Sequence, residues 1–338
     1  MALKLRGSMV ALVTPFRGGA VDEVALKQLV EFHIDAGTSA IVPCGTTGES
    51  ATLSHEEHDR VVETVVQAAR GRMSVIAGTG SNNTAEAVRL TKHAKQAGAD
   101  GALLISPYYN KPTQRGLYLH FKAVGDAVDL PLVLYNIASR TAVNIEPETL
   151  AKIAADVPNV VGVKESSGNL EQMSRILQLT RGRLALISGD DALTLPVLAI
   201  GGTGVISVVA NLVPRDVAAL VREFEGGRLP QAAEWHTKLL PLVRAMFIET
   251  NPIPVKTAMG LLGLIEPSLR LPLCDMEGAN LERLKAALDA YGLRRATGPV
   301  TAYPQASLRG RRRAGLPRQR GRSRLGASPR RQSQTHGR

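Results

Sequence analysis

A lysine at the end of an apolar run is the residue in this sequence whose position best suits covalent chemistry. Residues 160–163 are small or β-branched, and Lys164 follows them directly before a polar turn at 165–168. Such a run predicts a strand buried on both faces, and parallel α/β folds place their chemistry at the carboxyl ends of these strands. Burial disfavours the charged ammonium, and a neutral amine can form a Schiff base with a ketone. A solvated lysine is the ordinary alternative, so Lys164 needs support from other residues.

Other polar side chains follow apolar runs in the same way. The loop 45–50 carries two adjacent hydroxyls between glycines, which suits a small carboxylate. A tyrosine at a strand end can carry protons, and a nearby arginine can bind a carboxylate. Each residue also has an ordinary explanation, as a helix cap, interface packing, a core tyrosine or a surface arginine. The side chains concerned are Thr46, Thr47, Tyr109, Tyr135 and Arg140.

The elements that must position these side chains are short apolar runs separated by helical patterns. Eight β-like runs alternate with helices, which is the count of a closed (β/α)₈ barrel. An open doubly wound sheet is the competing fold, but it calls for a GxGxxG loop after the first strand, and none follows Val13. The runs span residues 9–13, 40–43, 74–77, 102–105, 132–135, 160–164, 184–188 and 204–208.

In a barrel, the residues just beyond the strands converge on one face. There they would combine an amine nucleophile, hydroxyl proton carriers, an anion site and a carboxylate clamp. That set suits a 2-keto acid handled as an imine. The sequence shows no metal-ligand spacing, and the Schiff base itself supplies an electron sink, so we expect neither a metal nor another cofactor.

Composition limits the cellular setting. Hydrophobic residues make up 44% of the 338, enough for a sizeable core, and no apolar run approaches the ~20 residues of a membrane span. The two cysteines, Cys44 and Cys274, fit a reducing compartment rather than a disulfide scaffold. We find no signal-peptide layout at the N-terminus and expect a cytoplasmic protein.

Three segments are predicted. Residues 1–225 form the barrel with the active site, 226–293 a C-terminal helical domain, and 294–338 an arginine-rich disordered tail. The tail holds thirteen arginines and no Lys, Asp or Glu, so subtracting them from the net charge of +11 leaves −2 for residues 1–293. Such a tail could bind nucleic acid electrostatically, but with a single aromatic residue we favour an extension without a role in turnover.

Seven motifs, in order, give the sequence a family resemblance. They read GTTGES, SPYYNKPTQ, LYNxxSRT, VGVKE, SGDD, GVISV and NPIPVK. The chain resembles the dihydrodipicolinate synthases over about residues 1–293. The resemblance implies condensation of pyruvate with aspartate semialdehyde to 4-hydroxy-tetrahydrodipicolinate, which begins lysine synthesis through diaminopimelate. It also implies a homotetramer built from two tight dimers.

The resemblance assigns roles to the residues. Lys164 would form the imine, and Tyr135, Thr47 and Tyr109 would relay protons, with Tyr109 reaching a neighbouring subunit's site. The other predicted contacts are with substrate: Thr46 and Thr47 with the pyruvate carboxylate, Arg140 with that of aspartate semialdehyde, and Gly189 and Ile206 with pyruvate through the backbone.

Feedback inhibition by lysine is a further implication. In the family the inhibitor binds a cleft at the tight-dimer interface. Glu86 would pair with its ammonium and Asn82 with its carboxylate. The matching positions are Ser50, Ala51, His55, His58, Asn82, Glu86 and Tyr108.

Two departures from the family pattern stand out. Residue 138 is Ala where the family usually has Pro, which predicts a looser loop around Arg140 and a modest effect on the aldehyde substrate. The arginine-rich tail is the second departure.

The alternative function is a related pyruvate-dependent aldolase, an N-acetylneuraminate or keto-sugar-acid lyase, but those relatives generally lack the Ser139-Arg140-Thr141 arrangement.

Overall fold

Eight parallel strands close into a barrel in the computed structural model, which describes residues 3–294. The predicted (β/α)₈ fold is therefore confirmed. Around the barrel the strand order is β1-β10-β9-β8-β7-β6-β5-β4, while β2 and β3 form a separate hairpin. The strands are β1 (Gly7–Ala11), β2 (Phe16–Arg17), β3 (Ala20–Val21), β4 (Ala40–Val42), β5 (Ser74–Gly78), β6 (Gly101–Ile105), β7 (Leu132–Asn136), β8 (Val160–Glu165), β9 (Ala185–Ser188) and β10 (Gly204–Ser207).

Twelve α-helices occur among the described residues, most of them on the outside of the barrel, and three short 3₁₀ turns accompany them. The helices are α1 (Glu23–Ala36), α2 (His55–Ala69), α3 (Thr84–Ala97), α4 (Gln114–Ala127), α5 (Ala138–Thr141), α6 (Pro147–Asp156), α7 (Leu170–Thr180), α8 (Thr194–Ala199), α9 (Pro214–Glu225), α10 (Leu229–Ala245), α11 (Ile253–Leu261) and α12 (Gly278–Tyr291). None of them is long and apolar enough to cross a membrane.

Local sequence signals set several helix ends. Asp22 caps α1 by accepting a hydrogen bond from the Ala25 amide at 3.0 Å. Ser54 and Glu57 form a reciprocal capping box at the start of α2. Gly98 ends α3 in the left-handed region of backbone conformation, with a φ of 91°. Each device satisfies backbone groups that a helix end leaves unpaired.

Helix α4, the short helix α5 and the hairpin β2–β3 were not predicted from the sequence. Helix α4 carries apolar residues at helical spacing, but Gly116 and Gly125 interrupt the pattern. Gly125 is there for packing, since a Cβ at that position would lie 2.2 Å from Val157 Cγ1. The hairpin β2–β3 has only two residues a strand, too short for a periodic signal.

Two hydrophobic layers hold the strands in place. The larger one fills the space between the strands and the surrounding helices. The smaller one fills the barrel itself and includes two of the predicted site residues, Tyr135 and Ile206. The barrel interior is therefore a packed core, and a reactive group can be reached only at its open rim.

Helices α10–α12 follow the barrel as predicted, and α10 packs against α9 and α12. Separating residues 1–225 and 226–293 into two domains remains a prediction. The proposed disordered tail, apart from its first residue Arg294, lies outside the described residues.

Acid should weaken the fold through a buried histidine in α1. His33 is fully buried, its Nδ1 lies 3.0 Å from Thr38 Oγ1, and burial lowers the pKa of the ring to about 3. The unfolded chain takes up this proton near pH 6.5 and the folded chain does not. Stability is therefore lost as pH falls from about 6.5 towards 3, by about 2 kcal/mol at pH 5.

Urea unfolding at pH 5 and pH 7 checks this expectation in the wild type and in a His33→Gln variant. The variant should show a smaller difference between the two pH values, by about 2 kcal/mol. Equal pH dependence in both proteins would contradict it.

Candidate active site

The barrel brings Lys164 and Tyr135 together at its carboxyl rim. They pair directly in the register of neighbouring strands β7 and β8. Lys164 is only 6% exposed and Tyr135 only 5%, and the lysine Nζ lies 4.1 Å from the centre of the tyrosine ring. The amine is thus held against an aromatic face rather than in solvent, the setting expected for a nucleophilic lysine.

A glycine keeps space open beside the lysine. A Cβ at Gly189 would lie 2.9 Å from Lys164 Cε and 1.9 Å from Ser166 Oγ. Gly189 is also fixed to the lysine strand, because its amide donates to the Glu165 carbonyl at 2.8 Å. Any larger residue at 189 would therefore displace the lysine side chain.

A buried carboxylate joins the ends of β7 and β8. Glu165 is fully buried and accepts hydrogen bonds from Asn136 Nδ2 at 2.9 Å and Gln172 Nε2 at 3.1 Å. Its other oxygen accepts from the Ser167 amide at 2.7 Å. These bonds hold the two strand ends that carry Tyr135 and Lys164 in one register.

The two threonines of the 45–50 loop have different surroundings. Thr46 lines a cavity, the central cavity, whose wall also includes Tyr135 and Arg140. Thr47 is only 2% exposed, and its Oγ1 accepts a hydrogen bond from Asn251 Nδ2 at 3.0 Å. The family resemblance predicts that both hydroxyls contact pyruvate and that Thr47 alone also belongs to the proton relay.

Arg140 lies in the short helix α5, near the rim. Its side chain is exposed, and Nη2 donates to the backbone carbonyl of Asn251 at 3.0 Å. Ala138, where the family usually has proline, is the first residue of α5. The short helix forms with alanine there, and the expected modest effect on the aldehyde substrate remains a prediction.

A buried ion pair anchors the loop 45–50, which carries Thr46 and Thr47. Lys256 Nζ lies 2.5 Å from Glu49 Oε1, and both side chains are fully buried. Lys256 also donates to the Thr14 carbonyl at 2.9 Å, and the Arg270 amide donates to Glu49 Oε2 at 3.2 Å. Burial lowers the pKa of Lys256, while the carboxylate of Glu49 acts in the opposite direction.

The central cavity has a volume of about 440 Å³. Its wall includes Thr46, Tyr135 and Arg140, together with most of the residues predicted to bind lysine. The cavity therefore joins Thr46, Tyr135 and Arg140 to the predicted lysine site. The remaining predicted active-site residues are not in its wall, namely Lys164, Thr47, Tyr109, Gly189 and Ile206. The predicted lysine-site residues in its wall are Ser50, Ala51, His55, His58, Glu86 and Tyr108.

Charge and hydrogen bonds already organise the predicted lysine site. Glu86 Oε1 lies 3.2 Å from His55 Nε2, and its other oxygen accepts from the Ser81 hydroxyl. His58 is buried, with Nε2 2.8 Å from the Gly78 carbonyl, and burial lowers the pKa of its ring. Asn82 is not in the cavity wall. Its backbone carbonyl accepts a hydrogen bond from Asn110 Nδ2 at 2.8 Å.

The structure places the remaining predicted residues as follows. Tyr109 is 90% exposed, with a φ of 72°, and is absent from the cavity wall of this chain. Ile206 is fully buried inside the barrel, opposite Met9 in the strand register. Two contacts remain predictions: that of Tyr109 with a neighbouring subunit and that of Ile206 with pyruvate.

Sequence reasoning missed the part of the site that comes from the C-terminal segment. Thr250, Asn251 and Pro252 line the cavity. The motif NPIPVK had contributed to the resemblance, but neither Asn251 nor Lys256 had been given a role. Within residues 3–294, no group of His, Cys, Asp and Glu side chains could hold a metal ion.

Fold and site together define a (β/α)₈ barrel with a buried lysine at its carboxyl rim. The Dihydrodipicolinate synthetase family model matches residues 4–291, and the chain belongs to this family. It is 56% identical over 288 residues to the 4-hydroxy-tetrahydrodipicolinate synthase of Syntrophus aciditrophicus, covering 85% of this chain and 99% of the relative.

Solved structures agree with this assignment. Dihydrodipicolinate synthase from Aquifex aeolicus superposes with a TM-score of 0.84 at 53% identity, covering 85% of this chain and 98% of the other. The enzyme from Cyanidioschyzon merolae, solved with lysine bound, gives a TM-score of 0.82 at 43% identity, covering 85% of this chain and 98% of the other.

Proposed function

We propose that the protein is a 4-hydroxy-tetrahydrodipicolinate synthase, a lyase that condenses pyruvate with L-aspartate 4-semialdehyde. This is the first committed step of lysine synthesis through diaminopimelate. The single observation that carries the proposal is Lys164, buried against Tyr135 at the carboxyl rim of the barrel. The names of the curated relatives support the choice of substrates.

The reaction begins at the lysine amine. Lys164 Nζ attacks C2 of pyruvate, and the carbinolamine loses water to give an imine. Loss of a proton from C3 then gives an enamine, with the imine nitrogen as the electron sink. Its C3 attacks the aldehyde carbon of aspartate semialdehyde, and the aldehyde oxygen takes up a proton. The substrate's amino group finally replaces Lys164 at C2, which closes the ring and frees the enzyme.

Proton transfer is assigned to hydroxyls, because each step above moves a proton at or near Lys164. Tyr135 is the group beside the amine, and Thr47 and Tyr109 complete the proposed relay. Thr46 shares the cavity wall with Tyr135.

Two anion contacts orient the substrates. Thr46 and Thr47 hold the pyruvate carboxylate, with Gly189 and Ile206 alongside through their backbone groups. Arg140 stands at the rim, where its guanidinium binds the carboxylate of aspartate semialdehyde. The hydrogen bond from Arg140 Nη2 to the Asn251 carbonyl limits how far the guanidinium can move.

Purified enzyme tests the proposal directly. Pyruvate and aspartate semialdehyde should be consumed together, whereas N-acetylneuraminate and keto-sugar acids should not be cleaved. Cleavage of either without condensation would assign the chain to the related lyases instead.

Removing the Tyr135 hydroxyl should slow the chemistry and leave the fold intact. Tyr135→Phe keeps the ring beneath Lys164 Nζ but loses the proton carrier, so we expect kcat to fall by about 10²-fold or more. Steady-state kinetics measure this, with Tyr118→Phe on α4 as the control, since Tyr118 bonds to Asp156 on the protein surface. A wild-type kcat for Tyr135→Phe would remove Tyr135 from the relay.

We also propose feedback inhibition by lysine, supported by the lysine-bound structure of the Cyanidioschyzon merolae enzyme. Glu86 is the carboxylate in the cavity wall that can pair with the inhibitor's ammonium. Asn82 is assigned to its carboxylate, with Ser50, Ala51, His55, His58 and Tyr108 around it.

Glu86→Ala should separate inhibition from turnover. A hydrogen bond to a charged group contributes about 1.5–3 kcal/mol, so half-inhibition should need roughly 10-fold to 150-fold more lysine, with kcat changed little. Inhibition curves measure this, and Glu171→Ala on α7 is the control. Unchanged inhibition in Glu86→Ala would place the effector elsewhere.

Assembly and location complete the proposal. A homotetramer of two tight dimers would cover the exposed Tyr109 and bring it to a neighbouring site. We place the reaction in the cytoplasm, since pyruvate is an intracellular metabolite and Cys44 and Cys274 are free thiols.

A further inference from the structure

Asn251 lies between the two substrate contacts of the site. It belongs to the C-terminal segment, is only 6% exposed and lines the central cavity. Its side-chain Nδ2 donates to Thr47 Oγ1 at 3.0 Å, while its backbone carbonyl accepts from Arg140 Nη2 at 3.0 Å. Side chain and backbone therefore contact different halves of the site.

The amide bond constrains the direction of the Thr47 proton. A hydroxyl has one proton to donate and can accept two hydrogen bonds. Because Asn251 donates to Oγ1, the hydroxyl proton must point away from the amide. Within residues 3–294 no hydrogen bond donated by Thr47 Oγ1 is found, although Thr47 is 98% buried, and Asn251 Oδ1 is likewise buried without a hydrogen-bond partner. A buried donor without an acceptor costs stability unless a ligand supplies one.

We infer that Asn251 is a positioning residue, which aims the Thr47 hydroxyl proton at the pyruvate carboxylate. This rests on the proposed function and adds to it a residue with a defined task. The task belongs to the side chain of Asn251 alone, because its backbone carbonyl remains beside Arg140 in any variant. Changes at 251 should therefore affect pyruvate and spare the aldehyde.

A double-mutant cycle between Asn251 and Thr47 tests the inference. Asn251→Ala should raise the KM for pyruvate about 3-fold to 10-fold, as expected for one neutral hydrogen bond, and leave the KM for aspartate semialdehyde within 2-fold. Thr47→Val should raise the pyruvate KM at least as much. The double variant should then be no worse than Thr47→Val, because the two residues act through one hydroxyl.

A second variant tests the direction of the bond. Asn251→Asp has almost the same shape, but its carboxylate can only accept, so it turns the Thr47 proton away from pyruvate. Its pyruvate KM should exceed that of Asn251→Ala at pH 8 and recover partly as the pH is lowered and the carboxyl regains a proton. A role in packing alone would make the isosteric Asp the milder change.

Controls separate the outcomes. Asn280→Ala removes an amide donor from the same C-terminal segment, where Asn280 Nδ2 bonds to Glu249 Oε1 at 2.9 Å, and it should leave both KM values unchanged. Thermal melts verify that each variant is folded. A wild type that fails to condense the two substrates overturns the proposed function. An active wild type with additive effects in the cycle, or a normal pyruvate KM in Asn251→Asp, overturns the role of Asn251.

Discussion

Lys164→Ala should abolish covalent capture of pyruvate and lower kcat by at least about 10³-fold, or about 4 kcal/mol of transition-state free energy. The physical reason is that, among residues 3–294, Lys164 supplies the one amine found over the Tyr135 ring. Without it, the enamine that carries the reaction cannot form, and binding of the substrates alone supplies little acceleration.

Borohydride reduction measures the same event without turnover. Reduction in the presence of pyruvate should add a stable label to the wild type, and peptide mapping should place it on residue 164. Lys122→Ala is the matched control, because Lys122 forms a surface ion pair with Asp126 on α4 and should change neither label nor rate. A label on another lysine would refute the mechanism.

Lys256→Met should destabilise the protein by about 3–5 kcal/mol, since it leaves the carboxylate of Glu49 buried without its cation. Both side chains are fully buried, and their atoms lie 2.5 Å apart. The loss should also reach the active site, because Glu49 belongs to the loop that carries Thr46 and Thr47. We therefore expect weaker pyruvate binding in addition to lower stability.

Urea unfolding of the single and paired variants measures this effect. Glu49→Gln with Lys256→Met removes both charges, so the double variant should recover much of the stability lost by Lys256→Met alone. Lys285→Met is a control for loss of an exposed ion pair, that with Glu282, and should cost about 1 kcal/mol or less. A similarly small cost for Lys256→Met would show that the buried pair is not what holds the loop.

The two lysines show why some of the site was predictable and some was not. Lys164 follows an apolar run directly, so local pattern and the geometry of parallel strands together place it at the carboxyl rim. Lys256 lies in an apolar helical segment more than two hundred residues from Glu49, and nothing near it in the sequence indicates which residue neutralises its charge. Only the tertiary structure shows that Glu49 is its partner.

Other features divide in the same way. Eight apolar runs with helical patterns between them determined the barrel, because period and length are local properties. The missed helix α4 has glycines whose reason is contact with another element, as at Gly125. The different surroundings of Thr46 and Thr47, adjacent in sequence, likewise depend on a distant residue, Asn251.

The sequence by itself determined the eight barrel strands, several helix caps, the lysine at the sixth barrel strand and the family. Tertiary structure alone decided that the C-terminal segment completes the site, through Asn251, and fixes its loop, through Lys256. The reason is physical: periodicity and capping act between residues a few positions apart, whereas burial and hydrogen-bond partners are set by whichever segments the fold brings into contact.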